Sequence, residues 1–216
     1  PRYFLRATPG AKNGTGAADL GPTIGIVNHT PRAPGVGDDI TVTCRVDQAF
    51  APVSGVTLHW RVMFEGEREL AMLDDGLHGD GAAGDGLFGA AIPHRTGAGD
   101  MLAAGQMVRW YVTAADVAGR ASRWPLFDDP DDTAEYLGTV VAPDSVASKL
   151  PVFHLFAPAS VLQPGPNTQQ IGADSEQGGR IALYYDGEFY DRVYMELRGN
   201  TSAGLNKKAH RLEFNR

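Results

Sequence analysis

A single cysteine, Cys44, stands among 216 residues, so no intramolecular disulfide can form and a disulfide scaffold is excluded. No apolar run approaches the ~18 residues of a membrane span, and no charged-then-apolar leader precedes a cleavage site. Basic residues are outnumbered, 19 against 26 acidic, for a formal charge of −7. That balance disfavours nucleic acid or an anionic membrane and leaves neutral, cationic or metal-ion partners. The chain also lacks a Gly-x-Ser-x-Gly elbow and a phosphate-binding Gly-x-x-x-x-Gly-Lys-Ser/Thr loop. His29, His59, His94, His154 and His210 are scattered, with no His-x-x-x-His or Cys/His spacing to organise zinc. Helical periodicity is nearly absent. What is present is 27 Gly and 14 Pro, about a fifth of the chain and below the ~25–30% of low-complexity disorder, with 43% hydrophobic residues to build a core.

Period-two alternation recurs between Gly, Pro, Asn and Asp clusters, the signature of an all-β sandwich or barrel. Over residues 39–47, Ile40, Val42, Cys44 and Val46 alternate with Thr41, Thr43, Arg45 and Asp47, which predicts one buried face and one wet one. Residues 56–64 repeat the device with Val56, Leu58, Trp60, Val62 and Phe64 inward, and residues 108–116 do so with Val108, Trp110, Val112 and Ala114. Weaker alternation predicts strands at 23–27, 69–73, 87–92 and 121–124. Seven short strands at this spacing predict a sandwich over residues 21–141. A leading segment, 1–20, precedes it; a turn-rich linker, 142–149, and a second unit, 150–216, follow. The start at Pro1 and the alternation running into Arg216 read as an excerpt of a longer chain.

Cys44 on the second strand and Trp60 on the third resemble core positions of immunoglobulin-like domains. The later strand offers Val112 or Trp110 in place of a second cysteine, so Cys44 is expected as a buried apolar plug. With Trp60 and Trp110 inward, Trp124 beside Pro125 is the one tryptophan expected at the surface, which weakens a carbohydrate-binding reading. Near the start, Thr8-Pro9-Gly10-Ala11-Lys12-Asn13 resembles the closing Ser-Pro-Gly-x-x-Asn segment of bacterial lamin-tail domains, and an ordinary linker fits the same residues.

Between the fourth and fifth predicted strands runs Asp74-Asp75-Gly76-Leu77-His78-Gly79-Asp80-Gly81-Ala82-Ala83-Gly84-Asp85-Gly86. Glycine lets such a backbone fold tightly, so Asp74, Asp75, Asp80 and Asp85 are candidate ligands for calcium, which takes six to eight oxygens. The spacing is not that of an EF-hand. The alternative is a set of Asx-turns in which the carboxylates cap their own backbone amides. The segment resembles a loop that recurs in immunoglobulin-like modules of secreted bacterial proteins. A second acidic run, Asp128 to Asp132, reads as a solvated loop.

In the second unit Ile181, Leu183 and Tyr185 alternate toward Asp186-Gly187, a type I′ turn signal, and the chain returns through Val193, Met195 and Leu197. A further strand is expected from Lys207 to Phe214. The order Leu150-Pro151-Val152-Phe153-His154-Leu155, Tyr185-Asp186-Gly187-Glu188, Arg198-Gly199-Asn200-Thr201-Ser202 and Lys207-Lys208 resembles the opening of the spore-coat protein H (CotH) kinase family. Thr201 and Ala209 stand where that family usually has Ser. The resemblance implies a truncated, atypical kinase-like segment in a secreted or cell-surface protein, with Arg198, Lys207 and Lys208 as candidate nucleotide-binding cations and ATP and Mg²⁺ as cofactors only of a complete domain. A charged edge that deters strand pairing explains the same three residues.

The resulting expectation is a noncatalytic spacer or adhesion module of a bacterial multidomain protein, adjoining a CotH-like domain. Its expected partners are other domains of the chain and a surface protein or polysaccharide, with calcium as the candidate ion. The rival reading is a part of an active ATP-dependent protein kinase whose catalytic carboxylates lie downstream. Residues 150–216 are expected to be less stable than the sandwich, or to pack on it.

Overall fold

The computed structural model describes residue 4 and residues 10–95, 102–130, 133–143, 149–164, 169–171, 178–198 and 209–214. Among these residues every element is a strand and every pairing is antiparallel. The first eight strands are β1 (Thr23–Thr30), β2 (Ile40–Asp47), β3 (Val53–Val62), β4 (Arg68–Met72), β5 (Leu87–Ile92), β6 (Met107–Asp116), β7 (Ala121–Trp124) and β8 (Leu137–Val140). They form two sheets, β1-β2-β5 and β4-β3-β6-β7, with β8 pairing to β6 ahead of β7 on the same edge. The chain crosses between the sheets after β2, β4 and β5, which makes a Greek-key sandwich.

The alternation places the core as expected. Ile40, Val42, Cys44 and Val46 of β2 face Val56, Leu58, Trp60 and Val62 of β3 and Val108, Trp110, Val112 and Ala114 of β6 in one buried cluster. Trp60 pairs directly with Trp110, Leu58 with Val112 and Val56 with Ala114, so the large side chains stack in register. Phe64 departs from the expected pattern. The strand ends at Val62, Met63 turns at φ 44°, and the Glu65 amide closes a turn on the Val62 carbonyl, which leaves Phe64 43% exposed. β8 has no counterpart among the expected strands, because Leu137-Gly138-Thr139-Val140 is too short to display a period.

The second unit comprises β9 (His154–Phe156), β10 (Leu162–Pro164), β11 (Gln169–Ile171), β12 (Gly178–Tyr185), β13 (Glu188–Arg198) and β14 (Ala209–Glu213). Four of these form the sheet β14-β13-β12-β9. Asp186 (φ 50°) and Gly187 (φ 85°) both take the left-handed conformation that a type I′ hairpin requires. One face of the hairpin, Ile181, Leu183, Val193 and Met195, packs under Ala157, Val161 and Leu162. On the other face Ala182 and Tyr184 pack on Met107 and Val140 of the sandwich, so Ile181 through Tyr184 are all buried. Simple alternation does not foresee that second covered face, and it is how this unit packs on the sandwich.

Candidate functional site

The Asp/Gly loop joins β4 of one sheet to β5 of the other. Gly76, Gly79, Gly81, Gly84 and Gly86 all have φ between 73° and 89°, a region costly for other residues, so the glycines set the path of the backbone. Along that path the carboxylates meet amides. Asp80, fully buried, accepts from the amides of Asp75 (2.7 Å), Gly76 (2.8 Å) and His78 (2.8 Å). Asp74 accepts from Gly84 (2.7 Å), Asp85 (3.2 Å) and Gly86 (2.9 Å). Asp85 takes the amides of Ala82 and Leu87, and Asp75 takes Leu77 together with the His78 ring at 2.9 Å.

These donors hold three carboxyls below the ordinary carboxylate range: Asp80 chiefly through Gly76, Asp85 chiefly through Leu87, and Asp75 chiefly through the His78 ring. Ligand atoms of Asp75, His78 and Asp80 lie within 4.8 Å of one another, a spacing that suits a cation. Asp74 and Asp85 stand outside that group and cap the second half of the loop. The four carboxylates are therefore divided between two turns.

Arg198 ends β13, exposed, opposite Ala209 of β14. Lys207, Lys208 and the Gly199 to Ser202 turn lie outside the described residues, as do Thr8 and Pro9 of the lamin-tail-like segment and Asp131 and Asp132 of the acidic run. Trp124 is 44% exposed, as expected for the tryptophan off the core. Cys44 is the expected plug, with its Sγ 3.9 Å from Met72 Sδ and its thiol pushed up to about 12 by burial. In the folded protein it is therefore expected to resist iodoacetamide at pH 8 and to react at the free-thiol rate only in denaturant. Rapid alkylation without denaturant would contradict this placement.

The richest polar assembly lies where β3, β6 and the hairpin meet. Arg61 of β3 and Arg109 of β6 are direct cross-strand partners on the outer sheet face, with Tyr136 between them at 4.7 and 4.4 Å from the two guanidiniums. A register slip between Ile181 and Leu183 leaves an extra residue in β13, where Arg192 takes φ 57°. That bulge turns Asp191 inward. Its Oδ2 accepts the amides of Glu135 (3.0 Å) and Tyr136 (2.9 Å), and its Oδ1 lies 3.7 Å from Arg109. Arg192 in turn donates to the Pro130 carbonyl at 2.7 Å. Burial raises the Asp191 carboxyl and lowers the Arg109 guanidinium, so desolvation outweighs their mutual attraction.

Against known families, residues 36–107 match the model described as the conditioned medium factor second Ig-like domain. The sandwich is an Ig-like domain. The match spans 72 of 216 residues, from just before β2 to the first residue of β6. No curated protein matches the chain. The Ig-like domain thus accounts for the Asp/Gly loop as a connection between its sheets. Sequence reasoning missed the Arg61, Arg109 and Asp191 assembly. Its only traces were an arginine beside the inward tryptophan in both Trp60-Arg61 and Arg109-Trp110, and Asp191-Arg192 interrupting the alternation of the returning strand.

Proposed function

We propose that the chain is a noncatalytic spacer of a secreted or surface-attached multidomain protein, in which the Ig-like domain serves as a rigid platform for a unit that opens a CotH-like domain. The observation that carries this reading is β12 buried on both faces, one by its own unit and one by Met107 and Val140 of the Ig-like domain. A spacer whose neighbour docks through apolar contacts and a buried carboxylate transmits orientation, whereas a flexible tether does not. The name of the matched family supports an extracellular setting, since it is that of a conditioned medium factor. The CotH part of the reading draws support from the motif order through Arg198.

The test incubates the full chain with Mg·ATP and a mixed protein acceptor while amide exchange is followed separately. The expected result is no phosphoryl transfer, with β12 amides protected as strongly as those of β3 and β6. Transfer that disappears in Arg198→Ala would replace the spacer by the kinase reading. Fast exchange throughout β12 would remove the platform.

A further inference from the structure

Between the Ig-like domain and the hairpin lies a cavity of about 280 Å³, lined among others by Arg61, Arg109, Arg180, Arg192, Glu135 and Asp191. We propose that this cavity binds a phosphate group as its dianion. Four guanidiniums against two carboxylates leave a formal charge of +2 in the lining. Part of that positive charge lies deep in the cavity. Arg109 is 8% exposed, and its Nε is buried without a hydrogen-bond partner among the described residues, as is the Nε of Arg61.

Like charges directly opposite on a sheet repel, and Arg61 and Arg109 are such a pair. Tyr136 offers both guanidiniums its ring face, but it cannot accept their N–H bonds in the plane where a guanidinium donates. Asp191 commits one oxygen to two amides and stands 3.7 Å from Arg109 with the other, beyond hydrogen-bond distance. An oxyanion between the arginines would supply the missing acceptors to both, and the planar fork of arginine suits phosphate oxygens. The Arg109 guanidinium is held below its ordinary value by burial first and by Arg61 second, the electrostatic state that an anion relieves. Arg192 and Glu135, with side chains 21% and 29% exposed, form the rim, and Arg109 and Asp191, 9% and 3% exposed, form the floor. The volume sits at the small end of ligand pockets, which suits phosphate or a small phosphomonoester.

The test is calorimetric titration of the full chain at pH 7.5 and fixed ionic strength with inorganic phosphate, methyl phosphate and malonate. Saturable phosphate binding is expected, at least ten-fold weaker in Arg61→Gln and in Arg109→Met. Arg61 makes no ion pair among the described residues, so Arg61→Gln removes a guanidinium donor without breaking an ion pair of the fold. Asp191→Asn keeps an oxygen for the two amides, removes a carboxylate from the cavity and is expected to bind several-fold tighter. Binding of both phosphates identifies a phosphoryl group on a larger molecule as the source, and binding of inorganic phosphate alone identifies the free ion. Absence of saturable heat with either phosphate, equal affinity for malonate, unchanged affinity in the arginine variants, or no tightening in Asp191→Asn would each overturn the assignment.

Discussion

Replacing Asp191 by alanine is expected to destabilise the docked hairpin by about 3–5 kcal/mol, the range for removing one partner of a buried ion pair. Two losses combine. The amides of Glu135 and Tyr136 lose the oxygen that now accepts from both, and a buried donor left unpaired costs about 1–3 kcal/mol. Arg109 loses the carboxylate nearest to it in a site that already strains against its charge. Asp191→Asn restores an acceptor for the amides but not the charge, so the expected order of stability is wild type, then Asn, then Ala. Because burial raises the Asp191 carboxyl, ionising it is itself a cost to the folded state. The double variant Arg109→Met with Asp191→Asn is accordingly expected to lose less than the two single losses added together. Urea unfolding followed by tryptophan fluorescence, with amide exchange at β12, measures wild type, the three single variants and the double variant. Equal losses in the Ala and Asn variants would show that the amides are not what Asp191 serves.

The contrast between this clamp and the sandwich core shows what a sequence displays. Ile40, Val42, Cys44 and Val46 announce their common face because a strand has a period of two and one side of it meets the core. The same logic located the Asp186-Gly187 turn and the return through Val193, Met195 and Leu197, all buried as the alternation implied. It failed at Phe64, where a positive φ at Met63 ends the strand one step before the pattern does. It was silent on Ala182 and Tyr184, since their burial depends on a second body resting on an otherwise outward face. Asp191 was hidden for a related reason. Its inward turn comes from a bulge, and its partners at Glu135 and Tyr136 are more than fifty residues away. The Asp/Gly loop was legible as to its two chemistries, cation ligands or amide caps, because both demand carboxylates among glycines.

For that loop, Asp80→Ala is expected to lower the melting temperature by roughly 10 °C, since three amides around a fully buried carboxylate lose their acceptor together. The same hydrogen bonds set the response to acid. Asp75, Asp80 and Asp85 have folded pKa values below the ordinary 3.8, so the unfolded chain binds their protons first as pH falls. Their contribution is fully present above about pH 4 and is lost as pH drops through the depressed folded values. Asp191 runs in the opposite direction, because its raised pKa makes the folded state take up a proton before the unfolded chain does. Five depressed carboxyls among the described residues, these three with Asp39 and Asp116, against one raised one predict a net loss of stability below pH 4, with a shallower slope in Asp80→Ala than in wild type. Melting curves between pH 2.5 and 7 read that slope directly. Calcium competes with amide hydrogens for the oxygens of Asp75 and Asp80, so titration to millimolar calcium is expected to give neither saturable heat nor a melting shift beyond about 1 °C. A stoichiometric heat and a raised melting temperature, both absent in Asp80→Ala, would instead make the turn around Asp75, His78 and Asp80 a metal site, with its amide bonds serving to preorganise the ligands.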